Sequence, residues 1–314
     1  MPIGIDPKVD YAFKYVFGRE QNADLLLDLL NAILDPPPDK RLAALTILNP
    51  FLPGDTAAGK LAVLDLIAED SHGKRYNIEM QLYQHPYLKE RFLYYWAKLH
   101  ADQLYKGDEF ELLRPTISIL LLDKILFPEL AGPHQKFQLW NQTHQSPFSD
   151  QLEIHLLELP KFLPGLTELS NDLDGWLYFL QHVSELDLKA WPSELKAPSL
   201  QLAAKELEML SLSKIERMRY EARLKGQRDY DTGIHCAKRE GLEQGIEQGR
   251  KEGREEGRKE GRKLGAVEAC VRMLQDILLL PVTPESELCE MPLSEMETLL
   301  AELRAKHHSR AAAP

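Results

Sequence analysis

The clearest pattern in the chain is a pair of strand-like segments on either side of a tight turn. Residues 61–70 are rich in Leu, Val and Ile, and residues 75–82 alternate polar and apolar side chains. Ser71, His72 and Gly73 lie between them, and Gly73 provides the residue that a short hairpin loop needs at positive φ. The pattern therefore predicts a β-hairpin.

A three-residue loop decides which residues face each other across this hairpin. It pairs Asp70 with Lys74, and counting back along both strands puts Asp65 opposite Glu79. Gln81 lies two residues beyond Glu79 and on the same face of the strand. Two facing carboxylates repel each other, which destabilises a hairpin unless a cation lies near them.

Asp65 and Glu79 provide the oxygen ligands that Mg²⁺ and Mn²⁺ prefer, and these ions keep open positions for water and substrate phosphate. Such a site activates water and stabilises a phosphoryl transition state. The alternative is a solvated sheet face, on which Glu69 and Arg75 form an ordinary cross-strand pair. The spacing Asp-x13-Glu-x-Gln leaves both interpretations open, because it is a loose pattern.

The segments around the hairpin predict an α/β core. Residues 10–34 carry apolar side chains at helical spacing and predict one or two helices that end at a run of three prolines, and residues 42–51 predict a first strand. Residues 88–105 predict a helix after the hairpin. Two apolar runs, residues 116–122 and 152–159, predict further strands.

The second half of the chain has the composition of helices. Residues 166–227 consist mostly of Leu, Ala, Glu and Lys with few β-branched residues. Residues 264–303 predict two helices with apolar stripes around Pro281 to Pro284, and the Ala-rich end is expected to fray. From composition we divide the chain into four parts: residues 1–165, 166–235, 236–265 and 266–314.

The third of these parts contains a repeat with glycine at every fourth position. The glycines are Gly241, Gly245, Gly249, Gly253, Gly257, Gly261 and Gly265. A glycine inside a helix costs about 1 kcal/mol relative to alanine, so a helix here needs compensation from close packing. Another helix backbone supplies such packing most simply, which predicts a homo-oligomer formed through the repeat. A flexible charged linker is the alternative.

Net charge argues against a nucleic-acid partner. The chain has 38 basic and 49 acidic residues, giving a net charge of −11, whereas DNA binding gains much of its affinity from neutralised phosphates. Residues 214–228 run against this trend, because they hold six basic residues and only two acidic ones. This segment is either a basic stripe for phosphate or an ordinary solvated helix face.

The three cysteines, Cys236, Cys270 and Cys289, lack the spacing of a zinc site or a disulfide framework. The chain also shows neither the features of a signal peptide nor an apolar run long enough for a membrane span. We therefore expect a cytoplasmic protein without a membrane partner.

Three stretches of the sequence together resemble the PD-(D/E)XK nuclease superfamily. They are DPKVDYAFKYVFG at residues 6–18, LDLIAEDSHGKRYNIEMQ at residues 64–81 and KERFLYYWAKLHADQLYKGDEFELLRPTISILLL at residues 89–122. The resemblance is strongest to the branch of recombination-promoting nucleases and transposases (Rpn). It implies a restriction-endonuclease-like α/β core, a central mixed sheet flanked by helices, followed here by an all-helical C-terminal region.

The resemblance also implies a function and a set of site residues. The function is that of a Mg²⁺- or Mn²⁺-dependent endonuclease that hydrolyses phosphodiester bonds of double-stranded DNA in recombination or transposition. Asp65 and Glu79 would be the metal ligands and, with Gln81, the catalytic residues. Gln81 stands where the superfamily has Lys, and a neutral amide cannot supply the positive charge of an ammonium group.

Four further residues are candidates on the same resemblance. Asp10 would add a carboxylate to the metal site, although an N-cap role is an alternative for it. Lys14 lies one helical turn later, and Lys14, Arg91 and Gln103 are candidates for holding a substrate phosphate. Tyr94 and Tyr95 follow Arg91 in the same predicted helix, and we expect these two aromatic residues to be core residues.

Two other functions stay open at this point. The first is a catalytically weak or inactive nuclease-fold scaffold that acts through helical self-association, which Gln81 and the acidic charge balance both favour. The second is an RNA nuclease, because the metal chemistry does not distinguish the two backbones.

Overall fold

The computed structural model describes residues 1–48, 51–52, 62–82 and 87–311 of the 314-residue chain. Small parts of the predicted elements, namely residues 49–50, residue 61 and residues 312–314 of the Ala-rich end, lie outside this description. The chain divides into two compact units, Met1–Asp231 and Thr232–Pro314.

The described residues of the first unit form ten strands and five helices, together with the start of a sixth helix. The strands are β1 (Leu45–Leu48), β2 (Phe51–Leu52), β3 (Ala62–Val63), β4 (Leu66–Asp70), β5 (Arg75–Gln81), β6 (Thr116–Leu122), β7 (His134–Gln138), β8 (Trp140–Asn141), β9 (Ser146–Pro147) and β10 (Leu152–Glu158). The helices are α1 (Asp10–Phe17), α2 (Ala23–Leu34), α3 (Leu88–Ala101), α4 (Asp172–His182), α5 (Pro198–Leu212) and α6 (Lys214–Ile277), which continues into the second unit.

Six strands form one mixed sheet in the order β1-β4-β5-β6-β10-β7. The pairs β5–β6 and β6–β10 are parallel, and the other pairs are antiparallel. A parallel neighbour needs a crossover connection, and α3 provides it between β5 and β6. The predicted core, a central mixed sheet flanked by helices and followed by a helical region, is confirmed.

The predicted hairpin register is also confirmed. Strands β4 and β5 pair Leu66 with Ile78 and Glu69 with Arg75, and the Asp70 N–H donates to the Lys74 carbonyl at 3.0 Å. Gly73 adopts φ +78° in the loop, the left-handed conformation that favours glycine. The same register, extended by one residue, places Asp65 opposite Glu79.

The two faces of the sheet pack against different helices. On one face, apolar side chains of β5 and β6 join α1, α2, α4 and α5 in one continuous hydrophobic core. On the other face, α3 covers Leu120, Leu122 and Leu156 through Leu88 and Phe92. Because side chains alternate along a strand, Ile78 and Met80 point into the large core and Glu79 points to the α3 face.

Helices α4 and α5 belong to the same core as the sheet. Trp176 on α4 is fully buried, its ring centroid is 5.6 Å from that of Phe17, and its Nε1–H donates to Asp28 Oδ2 at 3.1 Å. Ser199 on α5 donates to the same carboxylate oxygen. A domain boundary at residue 165 stays a prediction from composition, and the packing continues from the sheet through residues 172–212.

The second unit consists of helices. The helix α6 runs without a break through all seven repeat glycines, so the repeat is helical. Residues 237–263 are all exposed, and a Cβ atom added at any repeat glycine would meet no atom within 4 Å. Two more helices, α7 (Glu285–Glu290) and α8 (Leu293–Ala311), follow. They share a small apolar core with the end of α6, formed by Val271, Leu278, Leu288, Met296, Leu300 and Leu303.

No helix within the described ranges has both the length and the apolar character required to span a membrane.

Candidate functional site

Asp65 and Glu79 lie together on adjacent segments of the sheet, and each accepts a backbone hydrogen bond from the other's segment. Asp65 stands directly before β4, and its N–H donates to Glu79 Oε1 at 3.3 Å. In return, the N–H of Met80 on β5 donates to Asp65 Oδ2 at 3.1 Å. These bonds hold the two carboxylates on the same side of the hairpin, so the predicted convergence is present in the structure.

The Glu79 carboxyl group is in an environment that disfavours its negative charge. The residue is only 4% exposed, and burial is the main cause that raises its pKa to about 8, followed by the charge of Asp65. Arg91 and Lys14 act in the opposite direction but compensate only in part. A group in this position gains stability from any additional positive charge placed beside it.

Gln81 completes the polar row on β5. Its Nε2–H donates to Glu79 Oε2 at 3.3 Å, so that its amide lies beside the carboxylate pair. The amide is neutral and carries both donors and an acceptor. Gln81 therefore brings amide donors and an acceptor to the carboxylate pair without adding charge to it.

The positive charge at the carboxylates comes from Lys14 on α1. Its Nζ atom is 2.9 Å from Asp65 Oδ1 and 2.9 Å from Asp10 Oδ1, so one ammonium group bridges both carboxylates. Burial lowers the pKa of Lys14, but the charges of Asp65 and Asp10 outweigh it and the pKa is raised. Lys14 is thus a firmly charged cation within the carboxylate cluster.

Asp10 occupies the first position of α1, and Val9 takes the N-cap position. The Asp10 carboxylate instead pairs with two cations, since Oδ1 faces Lys14 and Oδ2 accepts bonds from Arg223 Nε and Nη2, both at 2.9 Å. Asp10 therefore lies in the cluster, one ammonium group away from Asp65.

The structure brings Arg91 near the carboxylates and leaves Gln103 elsewhere. The charge of Arg91 lowers the pKa of Glu79, and its guanidinium carbon is 5.8 Å from the Tyr95 ring centroid. Gln103 donates to Thr116 Oγ1 at 3.0 Å and accepts from the Arg114 N–H at 3.0 Å. Because Thr116 pairs with Arg75, Gln103 lies four residues along the sheet from Glu79, about 13 Å.

Of the two tyrosines on α3, Tyr95 packs against a small apolar cluster as predicted, whereas Tyr94 is 42% exposed. Tyr94 was expected in the core, and this prediction is wrong. Successive positions on a helix are about 100° apart, so two adjacent aromatic residues do not share one buried face.

The donor set fits a hard divalent cation with few protein ligands. In residues 1–48, 62–82 and 87–311, no three His, Cys, Asp or Glu side chains stand close enough to one another to hold a metal ion. Mg²⁺ commonly binds through one or two carboxylates and fills its other positions with water and phosphate oxygens. The facing pair Asp65 and Glu79, with the charge of Glu79 disfavoured and an ammonium group already drawn to Asp65, matches that requirement.

Two residues at this site were not singled out from the sequence, Arg219 and Arg223 on α6. They line a cavity of about 410 Å³ together with Asp10, Tyr11, Lys14 and Ala222. The sequence pointed to them through the basic segment at residues 214–228. The composition of that segment does not distinguish a phosphate-binding stripe from a solvated helix face.

Comparison with known protein families assigns residues 7–237 to the PD-(D/E)XK nuclease family transposases. The match covers well over half of the chain and includes the hairpin, α3 and the start of α6. Neither the curated proteins nor the solved structures give a significant match. The sheet, the facing carboxylates and the family match agree, and the chain belongs to the PD-(D/E)XK nuclease family transposases.

Proposed function

We propose that this protein is a metal-dependent endonuclease that hydrolyses phosphodiester bonds of double-stranded DNA in recombination or transposition. One observation carries the proposal: Asp65 and Glu79 converge on one side of the hairpin in a setting that calls for additional positive charge. Family membership supports a nuclease role, and the carboxylate pair is the part of the chain suited to it.

In this proposal Asp65 and Glu79 hold one Mg²⁺ or Mn²⁺ ion, and the ammonium group of Lys14 separates the proposed third carboxylate, Asp10, from Asp65. When bound, the ion supplies a water of lowered pKa and stabilises the charge that develops on the phosphate. The burial of Glu79 keeps its carboxylate in one orientation, and the two backbone bonds between the segments fix the spacing of the pair.

Gln81 positions the attacking water or a phosphate oxygen through its amide, which lies beside Glu79. The positive charge that a lysine would supply at this position comes from Lys14 instead, because its ammonium group already lies 2.9 Å from Asp65. Lys14 and Arg91 hold the substrate phosphate in this account. Gln103 has no support for that role, since its amide bonds the start of β6.

We also propose that the repeat glycines of α6 mediate self-association. The support is that all seven repeat glycines are exposed and no described part of the same chain packs against them. A second copy would compensate the cost of about 1 kcal/mol for each glycine by close backbone packing. A dimer would offer one nuclease site to each strand of a duplex.

The alternative function is a nuclease-fold scaffold without significant activity. Two observations favour it: Gln81 in place of a lysine, and the ammonium group of Lys14 bound to Asp65. Under this alternative the exposed repeat helix would be the functional part. A cytoplasmic location belongs to both alternatives, and the three free cysteines fit a reducing compartment.

Incubation of the purified protein with supercoiled plasmid and Mg²⁺ or Mn²⁺ tests the proposal, beside EDTA and an Asp65→Ala variant. We expect nicking by the wild type that disappears in both controls. A labelled RNA duplex in parallel distinguishes the nucleic acid. Absence of cleavage under either metal would contradict the nuclease proposal and support the scaffold.

A further inference from the structure

A solvent-open cavity of about 410 Å³ lies between α1 and the first turns of α6, next to the candidate nuclease site. Its walls consist of Asp10, Tyr11, Lys14, Arg219, Ala222 and Arg223. Three of these six residues are cations. The cavity and the carboxylate cluster share Asp10 and Lys14, so a ligand in the cavity lies beside Asp65.

The first turns of α6 are anchored to the sheet unit, which fixes where the arginines stand. Tyr220 is 5% exposed, and its hydroxyl accepts the N–H of Asp6 at 3.0 Å. Tyr11 on α1 donates a hydrogen bond to Glu216. These contacts place Arg219 and Arg223 over the exposed side of α1.

The ion pairs at the cavity leave guanidinium donors unused. Asp10 pairs with Arg223 and Lys14, Asp65 pairs with Lys14, and Glu216 pairs with Arg219 at 3.1 Å. Three cations therefore face three carboxylates, and the capacity to bind an anion lies in the remaining N–H donors of the two arginines. Arginine has five N–H donors, and the bonds to Asp10 use two of those on Arg223.

This arrangement suits a phosphate group. A guanidinium fork binds phosphate oxygens through paired N–H donors, and the side chains of Arg219 and Arg223 are each more than half exposed. A phosphate at these donors would replace water and would not have to displace a buried partner.

We propose that Arg219 and Arg223 bind a backbone phosphate of the DNA strand next to the phosphate that Lys14 and Arg91 hold at the proposed metal site. This inference rests on the proposed nuclease function and names a second contact for its substrate. It assigns the start of α6 to the nucleic-acid surface, and it supplies exposed guanidinium donors in a chain whose net charge is −11. Phosphate contacts of this kind set the position of a duplex without reading its sequence.

The test measures binding of a short fluorescein-labelled DNA duplex to the full-length protein by fluorescence anisotropy. EDTA is present throughout, so that metal-dependent cleavage does not interfere. The variants are the double substitution Arg219→Gln with Arg223→Gln, and Arg217→Gln as the matched control. Arg217 lies on the same helix, is similarly exposed and pairs with Glu221 at 3.0 Å outside the cavity.

We expect the double variant to bind about ten- to a hundredfold more weakly than the wild type, because two charge-assisted contacts are lost. The slope of log K against log salt should fall by about 0.9, the value for one phosphate contact. The Arg217→Gln variant should keep both the affinity and the slope. Arg223→Lys keeps the charge but loses the fork, so its affinity should fall while its slope stays near that of the wild type.

Thermal melting of each variant verifies folding, and Arg223→Lys carries the test if the double variant does not fold. If the wild type binds and nicks DNA but the double variant binds like Arg217→Gln, this inference is overturned and the nuclease function stands. If the wild type neither binds the duplex nor nicks plasmid, the proposed function falls and this inference falls with it.

Discussion

The sheet unit and the repeat segment of α6 differ in where their stability comes from. In the sheet unit, helices on both faces cover the strands, and residues far apart in sequence, such as Phe17 and Trp176, pack together. In residues 237–263 of α6, every residue is exposed and the glycines contact no other part of the described chain. The first region is covered by its own chain, whereas the second has a surface that the described residues leave uncovered.

This difference shows that regular secondary structure has two distinct origins in one chain. The strands exist because helices bury their apolar side chains on both faces of the sheet. The repeat helix exists in spite of its glycines, and its cost is not offset by contacts within the described residues. This difference supports the proposal that the first region carries the chemistry and the second the association.

The largest expected effect separates these two roles. Asp65→Asn removes one charge at the site while it preserves side-chain size, and we expect plasmid nicking to fall at least about a hundredfold. The oligomeric state, measured by light scattering after size-exclusion chromatography, should not change. Glu69→Gln on β4, the strand that follows Asp65, is the control, because Glu69 pairs with Arg75 away from the site. Equal losses in both variants would contradict the assignment to Asp65.

The second prediction compares the packing of the two regions. Trp176→Ala should reduce the free energy of unfolding by about 3–5 kcal/mol, since Trp176 is fully buried and bonds Asp28. Leu242→Ala in the repeat should change it by less than about 0.5 kcal/mol, because Leu242 is 65% exposed. Urea denaturation followed by tryptophan fluorescence and circular dichroism measures both values. A comparable loss in the two variants would remove the distinction between the regions.

The third prediction concerns pH and the buried carboxyl group of Glu79. Its pKa is about 8 in the folded state and has the ordinary value of 4.5 in the unfolded state. Between these values the folded state holds a proton that the unfolded state has lost, so the stability of the metal-free protein declines as the pH rises through this window.

Glu79→Gln removes this titration. In EDTA, the free energy of unfolding of the wild type should decline relative to that of the variant between about pH 5 and pH 8. The Tm of the wild type should therefore fall by several degrees relative to the variant, because each kcal/mol corresponds to roughly 2–4 °C. Addition of Mg²⁺ at the upper pH should raise the wild-type Tm and leave the variant unchanged. Parallel Tm profiles for the two proteins would contradict the account of Glu79.

The smallest expected effect on the folded chain comes from the repeat. Gly253→Leu with Gly257→Leu should preserve or increase helix content, because each glycine costs about 1 kcal/mol in a helix and a side chain meets open space there. Close packing against a second copy should be lost, so that analytical ultracentrifugation shows the monomer.

Glu255→Leu adds similar bulk on α6 between these glycines and is the matched control. Dissociation in the glycine variant alone supports association through the repeat. An unchanged oligomeric state in both variants, or a wild type that is already monomeric, would contradict it.

Local sequence patterns were sufficient for the hairpin and for the convergence of Asp65 and Glu79. Gly73 determined the loop, and the alternation of β5 determined which side chains share a face. The strand β6 also has the predicted bounds, because a short apolar run between turn residues predicts a single buried strand. Each of these features depends on residues less than about 15 positions apart.

The remainder of the site depends on packing between distant elements, which no local pattern contains. Arg223 reaches Asp10 across 213 positions because Tyr220 and Glu216 dock α6 on α1. Lys14 reaches Asp65 because α1 packs against the large hydrophobic core on one face of the sheet. Packing has the opposite result for Gln103, which follows the end of α3. Its amide donates to Thr116 and therefore lies away from Glu79.

The most direct test of the central claim is a crystal structure with Mn²⁺, in which anomalous scattering identifies the ion. The account predicts an anomalous peak bonded to carboxylate oxygens of Asp65 and Glu79, with the ammonium group of Lys14 displaced from Asp65. Crystals of Asp65→Asn grown under the same conditions should lack this peak. A wild-type structure in which Lys14 still bridges Asp10 and Asp65 and no ion lies at Glu79 would contradict the account.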